Sequence, residues 1–305
     1  MTTRDIKTIL KLHAMWLAGD SAGERADLSN VQLFEKDLRD ARLQGADLTG
    51  ADLREVKLCG AHLDDAKLAG ANLHSADLTD AHLGGVDLTG ANLRHACLER
   101  AQLTNAILTG ADLSTAECRA AFFNRADFRK AKMRSINLKG AALVGANLTE
   151  AEISEAHLDD TDLTRATFEC ANLYDSVLSG ANMTATNFTG ANLDGASMRN
   201  CNITGTRFFN ASLAGADFTM ASICNADIID AGQRMDGYRF IASMLNGMLM
   251  LSAGCRYLGI EEAREHWRLT RKDTDIGWEA LAIVDHIERV AIIRGWIEPK
   301  PGQSF

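Results

Sequence analysis

Ala46-Asp47-Leu48-Thr49-Gly50, followed at once by Ala51-Asp52-Leu53-Arg54-Glu55, decides the fold, because its five-residue period continues in both directions without a break. From Leu28 to Ile228 every fifth residue is apolar, at forty-one successive positions. The first eighteen, Leu28 to Leu113, are all Leu; the others are Leu, Phe, Met or Ile, with Cys118 the odd one. Two residues before nearly every one stands a small side chain, Ala in thirty-one of the forty-one repeats, with Lys36 and Ile136 the bulky exceptions. A period of five fits neither the 3.6 of a helix nor the 2 of a strand. Sustained over two-thirds of a chain, it means a solenoid in which each repeat contacts mainly its sequence neighbours.

Two inward residues per five, one small and one large, suit a short extended side followed by a corner. Two residues past the large apolar one, Gly, Asn or Asp fills twenty-five of forty-one places, among them Gly45, Asn105 and Asp160. These residues tolerate positive φ, so a tight turn is expected in each repeat. Pro is absent before Pro299, as expected where every backbone N–H pairs with the coil above or below. With Ala filling half of each interior layer, the coil must be narrow.

Ala-(Asp/Asn)-Leu-x-x is the motif of the pentapeptide-repeat proteins, and residues 26–230 resemble that family throughout. The resemblance implies a right-handed quadrilateral β-helix with four repeats, twenty residues, per coil. The span then makes about ten coils and, at the ~4.8 Å spacing of paired strands, a rod about 50 Å long. The expected architecture is an all-β solenoid over 26–230, preceded by an N-terminal capping helix in 1–25 and followed by a small α+β module in 231–305.

At the N-terminus Ile6, Ile9, Leu10, His13, Trp16 and Leu17 form one face of a helix, with Thr2 and Asp5 spaced as a capping box. Such a helix would plug the open first coil and its strand edges. After Asp230 the period stops. Residues 237–254 predict a hairpin, Gly237–Ser243 and Met248–Gly254, around Asn246-Gly247. Helices are expected at Ile260–Trp267 and at Trp278–Arg294, with Ala280, Ile283, Val284, Ile287 and Ala291 on one face and Pro299 and Pro301 in a closing tail. This module is similar to a C-terminal segment attached to pentapeptide arrays in phage and prophage proteins. The likeness runs through Asp236-Gly237-Tyr238-Arg239-Phe240, Ala253-Gly254-Cys255-Arg256 and Glu262-Ala263-Arg264-Glu265-His266-Trp267.

Several functions fall away. No apolar run of eighteen residues exists, so no membrane partner is expected, and the charged first twenty residues do not form a signal peptide. Seven Cys without a CxxC read as reduced thiols in the cytoplasm. Cys255 with His266 or His286 could be cast as nucleophile and base, but a lone Cys and two helical His arise readily by chance, and no enzyme is expected. His62 and His82 lie one coil apart and would stack; with no third ligand evident they read as surface decoration, so neither metal nor cofactor is expected. Glycines spaced for corners make no phosphate loop. The Thr row at 49, 89, 109, 149 and 189 is broken by Arg129 and Glu169, against ice binding.

Charge carries what remains. The chain is net −9, and residues 26–230 hold 28 acidic against 18 basic side chains, which argues against direct nucleic-acid binding. Sorted by place in the coil, the four faces carry −4, −4, −2 and 0. The resemblance implies a protein partner: the quinolone- and albicidin-resistance members are acidic rods that resemble duplex DNA and bind type II topoisomerase (gyrase). On that reading the candidate partner surface is Asp47, Asp52, Asp87 and Asp112. Duplex DNA has one charge per ~1.7 Å, so a rod of about 50 Å would need nearly thirty; the gross acid count reaches this and the net does not. The alternative is a scaffold or adaptor, phage-encoded, that captures a host protein through its C-terminal module.

Along the axis, Arg125, Arg129, Lys130, Lys132 and Arg134 belong to a basic belt in repeats 116–140. Glu152, Glu155, Asp159, Asp160 and Asp162 belong to an acidic belt in repeats 146–175. Two antiparallel rods would set each belt against the partner's opposite one, so a homodimer through the belts is one expected self-association, and dimerisation through the C-terminal module in 231–305 is the alternative.

Overall fold

The computed structural model describes residues 6–233, 239–253, 256–270 and 274–299. Parallel bridges link each residue before a large apolar position to the residue twenty further on, from Asp27↔Asp47 to Asn202↔Ser222. One coil is therefore twenty residues, and four ladders run along it. Each bridge is a single residue flanked by turns, so the sides are as short as the five-residue period demands. At every fifth position from Asn30 to Asn225, φ is positive, between 52° and 75°. The corner expectation holds even where Thr115, Ala120 or Met220 stands there.

The motif follows from where the five N–H groups of a repeat go. The large residue and the corner residue donate to the next coil, as in Leu28 N to Asp47 O (2.7 Å) and Asn30 N to Thr49 O (2.9 Å). The bridge residue donates to the preceding coil, Asp47 N to Ala26 O (3.0 Å), and the small residue closes the turn, Ala46 N to Leu43 O (3.0 Å). The fifth N–H, just after the large residue, finds no backbone acceptor. The Asp or Asn before the large residue takes it: Thr49 N donates to Asp47 Oδ1 (3.0 Å), and Thr149 N to Asn147 Oδ1 (3.1 Å). Three of five N–H groups thus pair between coils, not all of them; the turn and an Asx bond hold the other two.

The interior is a column of Leu and Ala with exposures of 0–2% along most of its length. At about 1.5–3 kcal/mol for each large side chain buried, this column is the main favourable term for the rod. Phe168, Phe188 and Phe208 stack on successive coils, with ring centroids 4.9 and 5.5 Å apart and planes 21° and 9° from parallel. In the same region the small position becomes Thr, Ser or Cys. Thr186 and Thr206 each donate from Oγ1 to the carbonyl of residue 163 or 183 on the coil behind, at 2.8 and 2.6 Å.

Helix α1 (Ile6–Leu17) lays Ile6, Ile9 and Leu10 against this core. His13 is fully buried and its Nδ1 accepts the N–H of Ala26 (3.0 Å), joining the helix to the first coil. A Cβ on Gly23 would lie 2.1 Å from Trp16 N, so the return from helix to rod needs Gly there. The Thr2–Asp5 capping box lies outside the described residues.

Past the rod, β1 (Ile229–Gln233), β2 (Arg239–Leu245), β3 (Met248–Ala253) and β4 (Arg256–Gly259) form an antiparallel sheet in sequence order. The β2–β3 hairpin turns at Asn246-Gly247, both with positive φ, as expected; its proposed ends at Gly237 and Gly254 fall outside the described residues. Helices α2 (Ile260–Thr270) and α3 (Asp275–Ile293) match the two expected helices within a few residues. Ala280, Val284, Ile287 and Ala291 of α3 are buried with Phe240 and Trp267, whose rings lie 5.3 Å apart. β1 and β4 were not anticipated. The sheet is fixed to the rod by Asn210 N to Met244 O (3.0 Å), by Arg239 to Phe218 O (2.7 Å) and by Arg294 to Ile228 O (2.9 Å), while Arg239 also pairs with Asp230 of β1 within the sheet (2.5 Å).

Candidate functional site

With the interior filled and the backbone satisfied, binding chemistry can lie only on the outward side chains. Three positions per repeat face out, and the ladder fixes their spacing. Asp47 and Asp87 stand on one ladder with Lys67 between them; Asp52 and Asp112 stand on another, separated by Asn72 and Asn92. The structure therefore puts the four carboxylates on two rows as the spacing predicts, with a cation inserted into the first row.

All four also serve the fold through Asx bonds. Asp47 accepts from Thr49, Asp87 from Thr89 N (3.0 Å), and Asp112 from Ser114 N and Oγ (3.0 and 2.6 Å). Asp52 accepts Arg54 Nε and Nη2 at 2.7 and 2.6 Å, and Arg94 lies 3.6 Å from Asp112. The hydrogen bonds from Thr49 hold Asp47 below the ordinary carboxylate range, and those from Arg54 do the same for Asp52. Burial opposes the shift at Asp112, but the Ser114 bonds and Arg94 together outweigh it. These three are therefore ionised and fixed in direction at neutral pH, while Arg54 and Arg94 offset part of the charge.

The two belts meet within one chain. Lys130 pairs with Glu150 (3.6 Å), Arg134 with Glu155 (2.6 Å) and Lys139 with Asp160 (3.9 Å), each across one coil. Arg129 is held by Asp127 (2.7 Å), Lys132 is the ladder neighbour of Glu152, and Arg125 occupies a corner. Asp159 lies 3.9 Å from His157 Nδ1, and Asp162 accepts from Thr164. The pairing of residue n with n+20 or n+21 could have been found by writing the sequence in rows of twenty. Exposed pairs of this kind contribute about 0–1 kcal/mol each.

His62 and His82 stack as predicted, centroids 4.5 Å apart and planes within 16°. A residue that sequence reasoning passed over joins them. The ligand atoms of His62, His82 and Asp64 all lie within 4.8 Å of one another, the one such set of three among the described residues. Asp64 stands outside the Asp/Asn place of the motif, which hid it. Its Oδ1 accepts the N–H of Gly84 (3.1 Å), the bond that His82 cannot supply to its own turn.

No helix among the described residues is long and apolar enough to cross a membrane. Cys255 lies outside the described residues, so its pairing with His266 or His286 is not placed. Burial raises the Cys118 thiol, and drives Cys201 up to about 12; neither is a nucleophile at neutral pH.

The family model for pentapeptide repeats matches eight times, in overlapping segments that run from 26–65 to 168–205. Among solved structures, the chain is similar to HetL, a pentapeptide repeat protein involved in heterocyst differentiation regulation from the cyanobacterium Nostoc sp. strain PCC 7120. Identity is 30%, over 70% of this chain and 93% of that one, with a TM-score of 0.31. It is also similar to full-length QnrB1, a plasmid-mediated fluoroquinolone resistance protein, at 15% identity over 66% and 93% of the two chains, TM-score 0.29. A pentapeptide repeat protein of the Arabidopsis thaliana thylakoid lumen matches at 26% over 42% and 72%, TM-score 0.25. No curated protein matches the chain. With twenty-residue coils, four ladders and eight matches to the repeat model, the chain belongs to the pentapeptide-repeat family, whose members form right-handed quadrilateral β-helices and are generally non-enzymatic structural or interaction rods.

Proposed function

We propose that this protein is a cytoplasmic, non-enzymatic, right-handed rod that binds a protein through its two acidic faces, and that the partner is a type II topoisomerase, gyrase, engaged by partial imitation of duplex DNA. The observation that carries the reading is the fixed carboxylate. Asp47, Asp52 and Asp112 are each aimed by an Asx bond on a rigid ladder and held ionised. A basic DNA-binding groove would meet charges whose positions need no ordering on binding, which lowers the entropic cost of association. Charge density sets the limit. Net −10 on the solenoid is about a third of what a duplex of the same length carries, so binding should be modest and salt-sensitive.

The test is a gyrase supercoiling assay with the purified full chain. Inhibition, or protection from a quinolone, that weakens as salt rises is expected. Asp47→Asn, Asp52→Asn and Asp87→Asn together should abolish it, because Asn keeps the Asx bond and removes the charge. No effect at a large excess over enzyme would overturn the gyrase reading.

A second reading has its own support. On the C-terminal module Leu269, Trp278 and Ile293 are 63–74% exposed, apolar side chains that a docked partner would cover and take out of water. A scaffold that captures another protein through this module is the alternative. Homodimerisation through the belts stays a proposal within either reading; the intrachain pairs leave less charge for it than a count of residues suggests.

A further inference from the structure

We propose that His62, Asp64 and His82 form a binding site for a divalent transition metal of the zinc class on the outer face whose ladder runs through Arg42, His62, His82 and Gln102. Their ligand atoms lie within 4.8 Å of one another. A metal bound at about 2.0–2.2 Å to each ligand brings donors to roughly 3–3.5 Å, so only side-chain rotation is needed. The backbone supplies the rest. His62 and His82 are bridge partners on adjacent coils, and their rings already lie parallel, 4.5 Å apart. Both are half-buried, as is Asp64, which restricts their rotamers before any ion arrives.

Asp64 is held in place by Gly84. Its Oδ1 accepts the Gly84 N–H, and a Cβ at residue 84 would stand 3.0 Å from that oxygen. Glycine there leaves room for the carboxylate to lean across to the second coil, with its other oxygen available. Two imidazole nitrogens and one carboxylate oxygen suit Zn²⁺, Co²⁺ or Ni²⁺ and do not suit Ca²⁺ or Mg²⁺, which prefer all-oxygen sets. Three protein ligands leave at least one position to water. Arg42, one coil below His62 on the same ladder, is the opposing cation and keeps the site weaker than a closed structural one. The pair His74 and His95 provides the contrast: those rings meet edge-on at 5.3 Å, and His95 Nδ1 is engaged with Thr115 Oγ1 at 2.6 Å.

The experiment is calorimetric titration of the full chain with ZnCl₂ at pH 7.5 under reducing conditions, with CoCl₂ absorption as a second readout. One site per chain is expected, with a cobalt spectrum free of thiolate charge-transfer bands. His62→Ala together with His82→Ala should remove it. Asp64→Asn, which keeps the Gly84 bond, should weaken it at least tenfold, and His74→Ala with His95→Ala should leave it unchanged. If the histidine variant melts below the wild type, Asp64→Asn alone decides. The proposal is overturned if the wild type binds no zinc at 1 mM, if the His62/His82 variant binds as tightly as the wild type, or if Asp64→Asn has no effect. A cobalt spectrum dominated by thiolate bands, which would assign the metal to cysteines, overturns it as well.

Discussion

From Leu28 to Leu113 the large interior position holds only Leu, whereas from Cys118 to Ile228 it holds Phe, Met, Ile and Cys as well, yet the ladder runs through both halves at the same twenty-residue offset. The first half fills its layers with Leu and Ala. The second fills several with phenyl rings and places Ser, Thr or Cys at some of the small positions, where Ser176, Thr186, Cys201 and Thr206 reach a carbonyl on the coil behind (Ser176 to Ile153 O, 2.8 Å; Cys201 to Leu178 O, 2.9 Å) and Thr161 reaches Leu158 O in its own turn (2.7 Å). The backbone therefore does not dictate one interior; it dictates a volume and the absence of unpaired donors. A hydroxyl is tolerated because a carbonyl lone pair is already aimed at it.

The comparison breaks most visibly at a charge. Leu73→Lys buries an ammonium in a column with no loop to absorb it, and an unpaired buried charge costs several kcal/mol or more. Loss of soluble protein or of a cooperative melt is expected, while Thr79→Lys on the surface should melt close to wild type. Equal melting temperatures would refute the inward assignment in the Leu half.

Next in size is the aromatic column. Phe188 lies between two rings, so Phe188→Ala loses two stacked contacts in addition to the cavity. Thermal unfolding should show about 3–5 kcal/mol, exceeding Leu108→Ala by about 1 kcal/mol. Hydrogen exchange should be slower around 168–208 than around 68–108; the reverse order would show that the rings add no rigidity.

The N-terminal end of the Leu half should depend on pH, and the aromatic end should not share that dependence. Burial lowers the pKa of His13, with the carbonyl of Gln44 opposing and Arg25 and Arg42 assisting. A lowered imidazole contributes stability that is present above the unfolded value of 6.5 and is lost as pH falls below it. Protonation also takes the acceptor from Ala26 N. Amide protection near Leu28 and Leu33, taken relative to the intrinsic exchange rate at each pH, should fall between pH 7 and 5, and His13→Gln should flatten the profile.

The smallest effect is at the corners. Ala120 sits at φ 53°, where glycine has no steric cost, so Ala120→Gly should stabilise by up to about 1 kcal/mol. The same exchange at an inward Ala, such as Ala121, should destabilise. A melting point that falls for both would remove the corner argument.

The period, the inward rows and the corners were legible because each is repeated dozens of times under one packing constraint. So were α2 and α3, through Ala280, Val284, Ile287 and Ala291, and the Asn246-Gly247 turn. Four sides per coil came from resemblance, not from the period. β1 was hidden because Ile228 and Asp230 still fit the repeat, and β4 because four residues running straight into a helix carry no alternation. The outward residues resisted for a different reason. No packing rule acts on them, so Asp47 can be a cap, a partner contact or both, and Asp64 shows its company only when coils are laid over one another.

The direction of the ladder bonds sets how this molecule would answer to force. Around its girth the rod is closed by the covalent chain, and along its axis only hydrogen bonds such as Leu28 N to Asp47 O and side-chain packing join one coil to the next. It should resist swelling far better than stretching. Pulled by its ends it would pay out like thread from a spool. Each coil gives up about 5 Å of rod and releases twenty residues, about 70 Å of extended chain, so the force trace should be a sawtooth whose spacing measures one coil and whose number of teeth counts the coils.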